Sequence, residues 1–135
     1  GVREHVHFAG YRRDVEALLG SHDLFVLPSW SEGCSISLVE AMSSGIGVAG
    51  SRVDGIGEVL GPLAERWRFA PDDAREMAGV LADYAKLPAE HRRSLAEEAR
   101  TIAHERFSTW VYMRNLESLY AEVLATSGAS TGRAA

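Results

Sequence analysis

Two carboxylates, Glu32 and Glu40, stand eight residues apart in the segment Pro28-Ser29-Trp30-Ser31-Glu32-Gly33-Cys34-Ser35-Ile36-Ser37-Leu38-Val39-Glu40. An apolar run, Leu24-Phe25-Val26-Leu27, precedes them, and Ala41-Met42 and then Gly45 follow. The run reads as a strand, Gly33 as part of a turn, and the stretch around Ile36, Val39 and Met42 as a short helix stopped by Gly45. A strand, a glycine-bearing turn and a helix N-terminus form a natural anion pocket, because first-turn amides have no acceptor within the helix. Two acids beside that pocket add acceptors for hydroxyl groups. The combination suits a ligand carrying both phosphates and hydroxyls, and a nucleotide-sugar fits that description.

The surrounding elements must hold this segment in place. Val6-His7-Phe8-Ala9 reads as a short strand ending at Gly10, with His5 and His7 alternating along it as structural or exposed residues. Asp14 to Leu19 has helical spacing and stops at Gly20. The continuous run Leu24–Leu27 has the pattern of a strand buried on both faces. Gly47-Val48-Ala49-Gly50 reads as another buried strand, and Trp67-Arg68-Phe69 as a short final one. Strands alternating with helices through short loops predict an α/β domain with a parallel sheet. From Asp72 the pattern turns helical. Asp72 or Asp73 caps a helix ending near Pro88, a second helix runs through Leu95, Ala99, Ile102 and Phe107, and Ser108 or Thr109 caps a third. The tail from Thr126 to Ala135 is small, polar and glycine-bearing, a composition that predicts disorder. The expected organisation is one partial domain over residues 1–125 and a disordered tail over 126–135.

Composition narrows the function. The 135 residues suffice for one domain with a single core, and a hydrophobic fraction of 46% is ordinary for a globular protein. A net charge of −5 with no basic stripe argues against nucleic-acid binding. The single cysteine, Cys34, cannot form an internal disulfide and fits a reducing compartment. It reads as an inert filler, since no neighbouring base would activate it. No apolar run approaches the roughly 18 residues of a membrane span, and the first residues do not form a signal peptide. A cytoplasmic protein is the expectation.

Taken together, Pro28-Ser29-x-x-Glu32-Gly33-x6-Glu40-Ala41-Met42-x-x-Gly45-x-x-Val48, then Gly55-x-x-Glu58, resembles the donor-binding signature of retaining glycosyltransferases of the GT-B fold, specifically family 4. Val6-His7-Phe8-Ala9-Gly10-Tyr11 is similar to the strand and turn preceding the donor site, Asp23 to Ser29 to the core strand, and Glu105-Arg106-Phe107-Ser108-x-Trp110 to the start of the closing helix. The match covers residues 5 to about 124. It implies a partial Rossmann-like sheet of the C-terminal GT-B domain, followed by a helical C-terminal third. It also implies transfer of a sugar from a nucleoside diphosphate to an acceptor, with retention. Amides near Cys34, Ser35, Ile36 and Ser37 would meet the diphosphate, and Gly33 would let the backbone approach the ligand. Glu40 would accept hydrogen bonds from the ribose, and Glu32, the catalytic residue, would contact the transferred sugar's hydroxyls and lie near the developing positive charge. Tyr11 and Arg12 fall where the family places contacts to the base. No metal and no cofactor are implied; Asp72-Asp73 reads as a helix start rather than an ion site.

Other readings of the same residues stay open. Ser37-Leu38-Val39-Glu40 is also a capping-box pattern, in which Glu40 would reach back to the helix entrance. Glu58 suits a capping or surface role as well as a ligand contact. The chain also departs from the family at Cys34-Ser35, where an aromatic residue and a glycine are common, and at Gly47, which replaces a proline. At Asp54-Gly55 the family tends to have a glycine pair. Each departure would alter the shape or charge of the sugar pocket.

Measured against the family, the chain starts at the third strand of the second domain, without the two preceding strands and the basic residue found there. In a sheet of order 3-2-1-4-5-6 the Val6 strand would then have no neighbour. The expected partners are therefore a nucleotide-sugar donor and an N-terminal GT-B domain or complementary chain, with self-association possible through the C-terminal helix. The alternative is a non-catalytic binding or interaction module on the same α/β fold.

Overall fold

The computed structural model describes residues 1–130, with side chains through Thr126. Three parallel strands carry the site: β1 (Leu24–Leu27), β2 (Gly47–Ser51) and β3 (Arg68–Phe69), in the order β1-β2-β3. The register pairs Leu24 with Gly47 through Leu27 with Gly50, and Gly50 with Arg68. Parallel neighbours need crossovers, and these are helices α2 (Ile36–Ser43) and α3 (Asp54–Leu60), the latter followed by a 3-10 turn at Gly61–Glu65. A short α1 (Val15–Leu19) precedes β1, while α4 (Ala74–Lys86), α5 (Ala89–Phe107) and α6 (Thr109–Ser130) follow β3 among the described residues. The fold is α/β, a partial Rossmann-like sheet with a helical C-terminal third.

Central β2 is buried at all five positions. Successive strand residues face opposite ways. A Cβ on Gly47 would meet the Tyr84 ring of α4, and one on Gly50 would meet Ile56 of α3, so α4 and α3 cover opposite faces. Leu38 and Met42 of α2 and Ile56 and Leu60 of α3 are wholly buried, each worth about 1.5–3 kcal/mol relative to exposure. Helix α5 lays Ala96, Ala99 and Ala103 against α2 and β2. Trp67 and Tyr84 meet edge-to-face at 5.5 Å, and the Tyr84 hydroxyl donates to Asp23 O at 2.9 Å.

Several expectations are corrected. Residues 6–9 form no strand; Val6 and Phe8 are exposed, Phe8 by 91%, and His5 ends a 3-10 turn at Arg3–His5. The reason is the missing ladder: among the described residues nothing pairs with the outer edge of β1, and lone extended backbone is not a strand. For the same reason β1 is half-buried rather than covered on both faces. Ile36 is 72% exposed, because the core face of α2 is Leu38, Ala41 and Met42. Helix α3 is absent from the pattern reading, since Gly55 and Gly57 lower its propensity; burial of Ile56, Val59 and Leu60 prevails. Helix α6 continues to Ser130, past Thr126 where a disordered tail was expected; residues 131–135 lie outside the described residues. Continuing an existing helix costs much less than nucleating one. Among the described residues no helix is long and apolar enough to cross a membrane.

Candidate functional site

The loop from Pro28 to Ser35 leaves the C-terminal end of β1 and enters α2, so it lies where open parallel sheets bind ligands. Its start is pinned from the core. The buried Ser51 hydroxyl, at the end of β2, lies 3.4 Å from Leu27 O and donates to Ser29 O. Ser29 Oγ in turn donates to Glu32 Oε1 at 2.9 Å, which orients the half-buried carboxylate. From the other side α3 presses on the loop. A Cβ at Gly55 would overlap the carbonyl oxygens of Glu32 and Gly33, so only glycine permits this approach. A Cβ at Gly33 would meet nothing within 4 Å, so no protein neighbour demands glycine there.

The α2 entrance is held by Ser35, whose Oγ accepts from Leu38 N at 3.3 Å and lies 3.2 Å from Ser37 Oγ. With Leu38 capped, the first-turn amides of Ile36 and Ser37 are those with no acceptor inside the helix. This overturns the capping-box reading of Glu40. The N-cap is Ser35, three residues before Leu38, so Glu40 lies too deep in α2 to reach back. Instead Glu40 is exposed one turn after Ile36. The two line a groove of about 350 Å³ with Val39 of α2 and Val15, Glu16 and Leu19 of α1. Gly45 closes α2 with φ 68°, and its N–H donates to Met42 O at 3.0 Å.

Other expected residues stand apart. Tyr11 is 89% exposed, and Arg12 holds Asp14 through bonds of 2.8 and 2.5 Å; neither lines the groove. The Arg12 guanidinium, with a backbone bond, holds the Asp14 carboxyl below its ordinary range. Cys34 is exposed in the loop, so it fills no core space. Glu58 is exposed on α3, and its carbonyl, not its carboxylate, is used, accepting from Arg106 Nη1 at 2.8 Å. Gly47 begins β2 at the opposite end of the sheet from the loop, so its departure from proline makes room for Tyr84 and does not shape the loop. Asp54 stands in the first turn of α3, beside Gly55, where a carboxylate complements the helix dipole.

Sequence reasoning missed Ser29, Ser51 and the packing role of Gly55. A serine ending a glycine-rich strand carries no local signal of the carbonyls it will bond across the sheet. Ser29 could have been noticed, since it precedes Glu32 by three residues, a common reach for a hydroxyl–carboxylate bond.

The family model described as Glycosyl transferases group 1 matches residues 1–102. An MMP alpha-(1->4)-mannosyltransferase of Mycolicibacterium hassiacum is 35% identical over 128 residues, covering 93% of this chain and 31% of that protein. The putative colanic acid biosynthesis glycosyltransferase WcaL of Escherichia coli is 31% identical over 84% of this chain and 30% of its own length. An N-acetyl-alpha-D-glucosaminyl L-malate synthase of Bacillus anthracis is 30% identical over 91% of this chain and 32% of its own length. This chain thus spans about a third of these relatives. A strand–loop–helix carrying Glu32 and Glu40 on a parallel sheet, matched along most of its length, belongs to the group 1 glycosyltransferase family.

Proposed function

We propose that this chain is the donor-binding part of a retaining glycosyltransferase of the GT-B fold, family 4 type, using a nucleoside-diphosphate sugar. The observation that carries the reading is the convergence at one sheet edge of four features. They are a carboxylate fixed by Ser29, an open Gly33, the free first turn of α2, and Glu40 one turn further on. The amides of Ile36 and Ser37, with those of Cys34 and Ser35 leading in, face the diphosphate, where the helix dipole favours negative charge. Glu40 accepts from the ribose hydroxyls along the groove between α1 and α2. Tyr11 and Arg12, just before α1, contact the base.

In such a transfer the departing diphosphate gains negative charge while the sugar ring becomes positive. Glu32 holds the transferred sugar's hydroxyls and places its negative charge beside the ring. Its bond from Ser29 Oγ and the Gly55 contact behind it fix that position before the ligand arrives. The acceptor is bound mainly by a further domain, which also covers part of the apolar surface of α6, where Trp110, Tyr112 and Tyr120 are more than 60% exposed. The donor is a uridine, guanosine or adenosine diphosphate sugar.

Calorimetric titration of the full-length protein with nucleoside diphosphates tests the two acids separately. Glu40→Ala is expected to weaken nucleotide binding by about 1.5–3 kcal/mol, the range for a hydrogen bond to a charged group. Glu32→Ala is expected to lower turnover while leaving affinity for the free diphosphate nearly unchanged. Equal affinity in wild type and Glu40→Ala would remove the ribose from its assigned place.

A further inference from the structure

A second concavity opens at the same carboxyl end of the sheet. It measures about 220 Å³, and its walls include Trp30 from the β1 loop, Phe69 and Ala70 at the end of β3, and Asp72, Asp73 and Met77 beyond. Neither Glu32 nor Glu40 lines it, so it is separate from the groove between α1 and α2. Resting on the donor reading above, we propose that this cleft binds one neutral sugar ring of the acceptor.

The chemistry of the walls selects that ligand. Trp30 is 68% exposed, so its indole is open to a ligand in the cleft. Its loop is held on both flanks, by the Ser51 bond to Ser29 O and by the Ser29–Glu32 bond, so the indole is carried on fixed backbone. A flat aromatic face suits the C–H face of a pyranose. Asp72 and Asp73 also line the cleft, and Asp73 Oδ1 is already taken by the amides of Arg75 and Glu76 at 3.0 and 2.9 Å. Asp72 is exposed and is the acceptor offered to ring hydroxyls. Two acids and no lysine or arginine among the lining residues disfavour a phosphate or an anionic sugar. The volume lies below the roughly 300–1,000 Å³ of clefts that hold drug-sized ligands, which fits one ring rather than a nucleotide. Trp30 and Glu32 are two residues apart, so a ring in this cleft lies next to the sugar that Glu32 would hold.

The test uses full-length protein labelled with 5-fluorotryptophan, the Trp30 signal being assigned by its loss in Trp30→Phe. It is titrated with methyl glycosides of glucose, mannose, galactose and N-acetylglucosamine, with UDP, GDP and ADP, and with UDP-glucose, GDP-mannose and ADP-glucose. At least one glycoside should shift the Trp30 signal saturably, while the nucleoside diphosphates leave it in place. Asp72→Asn should weaken that glycoside at least fivefold without changing nucleotide affinity measured by calorimetry. A Trp30 signal untouched by every glycoside overturns the proposal. A signal moved only by nucleotide-sugars also overturns it, and assigns the cleft to the donor's sugar. If no nucleotide binds anywhere yet a glycoside moves Trp30, the donor reading falls and the cleft stands.

Discussion

Helices α5 and α6 follow one another, and they treat water in opposite ways. Helix α5 is the more polar of the two, with Glu97, Glu98, Arg100 and His104 among its residues, yet it seats Ala96, Ala99 and Ala103 in the core. Helix α6 is rich in large apolar residues, but among its described residues only Val111 is buried. Trp110, Tyr112, Met113, Leu119, Tyr120 and Val123 all face solvent. Small residues mark where a helix backbone comes close to α2 and β2; bulky ones on α6 mark a surface that the core of this chain leaves exposed. Apolarity therefore shows that a face wants covering, and side-chain size indicates how closely its cover approaches.

The largest effect that would sharpen the contrast concerns turnover. If α6 and the sheet edge await a further domain, the 135-residue chain alone should show weak nucleotide-sugar binding and no transfer. Without the further domain that binds most of the acceptor, it forgoes an orientation term worth roughly 7–11 kcal/mol in favourable cases. A transfer assay with pooled donors and simple acceptors reads this directly, and several turnovers per chain would break the comparison.

Next in size is the interior of α5. Ala99 is fully buried, so Ala99→Leu should destabilise the chain by about 1–3 kcal/mol through overpacking. Urea unfolding measures it. A neutral result would mean that α5 packs more loosely than its alanines indicate.

On α6 the expectation reverses. Trp110→Ser with Tyr120→Ser should change monomer stability by no more than about 0.5 kcal/mol each, as for other surface positions. Light scattering of the isolated chain should show less self-association in the double variant. A stable monomer in the wild type, with its tryptophan emission wholly buried, would contradict a bare α6.

The smallest effect lies at the site edge. Glu76 binds the Ala70 amide at 2.6 Å and also pairs with Arg52, and these contacts hold its carboxyl below the ordinary glutamate range. A depressed folded-state pKa gives stability that is complete above the unfolded value and is lost as pH falls toward the folded one. Thermal melts should therefore fall in the acid range, below about pH 5, with a slope that Glu76→Gln reduces. Identical slopes would show that the pair contributes nothing measurable, as many exposed pairs do.

Much of this arrangement was legible from residue order. The run Leu24–Leu27, the buried Gly47–Gly50 and the caps Asp73 and Ser108 follow from local periodicity and turn chemistry, which act over a few residues. So does the placement of Glu32 before, and Glu40 within, one short helix, since both depend only on where α2 begins. The failures share a cause, which is dependence on distant chain. The segment 6–9 has strand-forming residues but no neighbour, and α3 has two glycines but a core to fill. Glu40 matches a capping box in spacing, yet Ser35 had already set the helix start. What the sequence by itself determined was the list of elements and the residue types at the site. The tertiary structure alone decided that Ser51 would anchor Ser29, that Gly55 would press on Glu32 and Gly33, and that Trp30 and Asp72 would line one cleft. These placements join residues that are 22 or more apart in the chain, where no periodicity reaches.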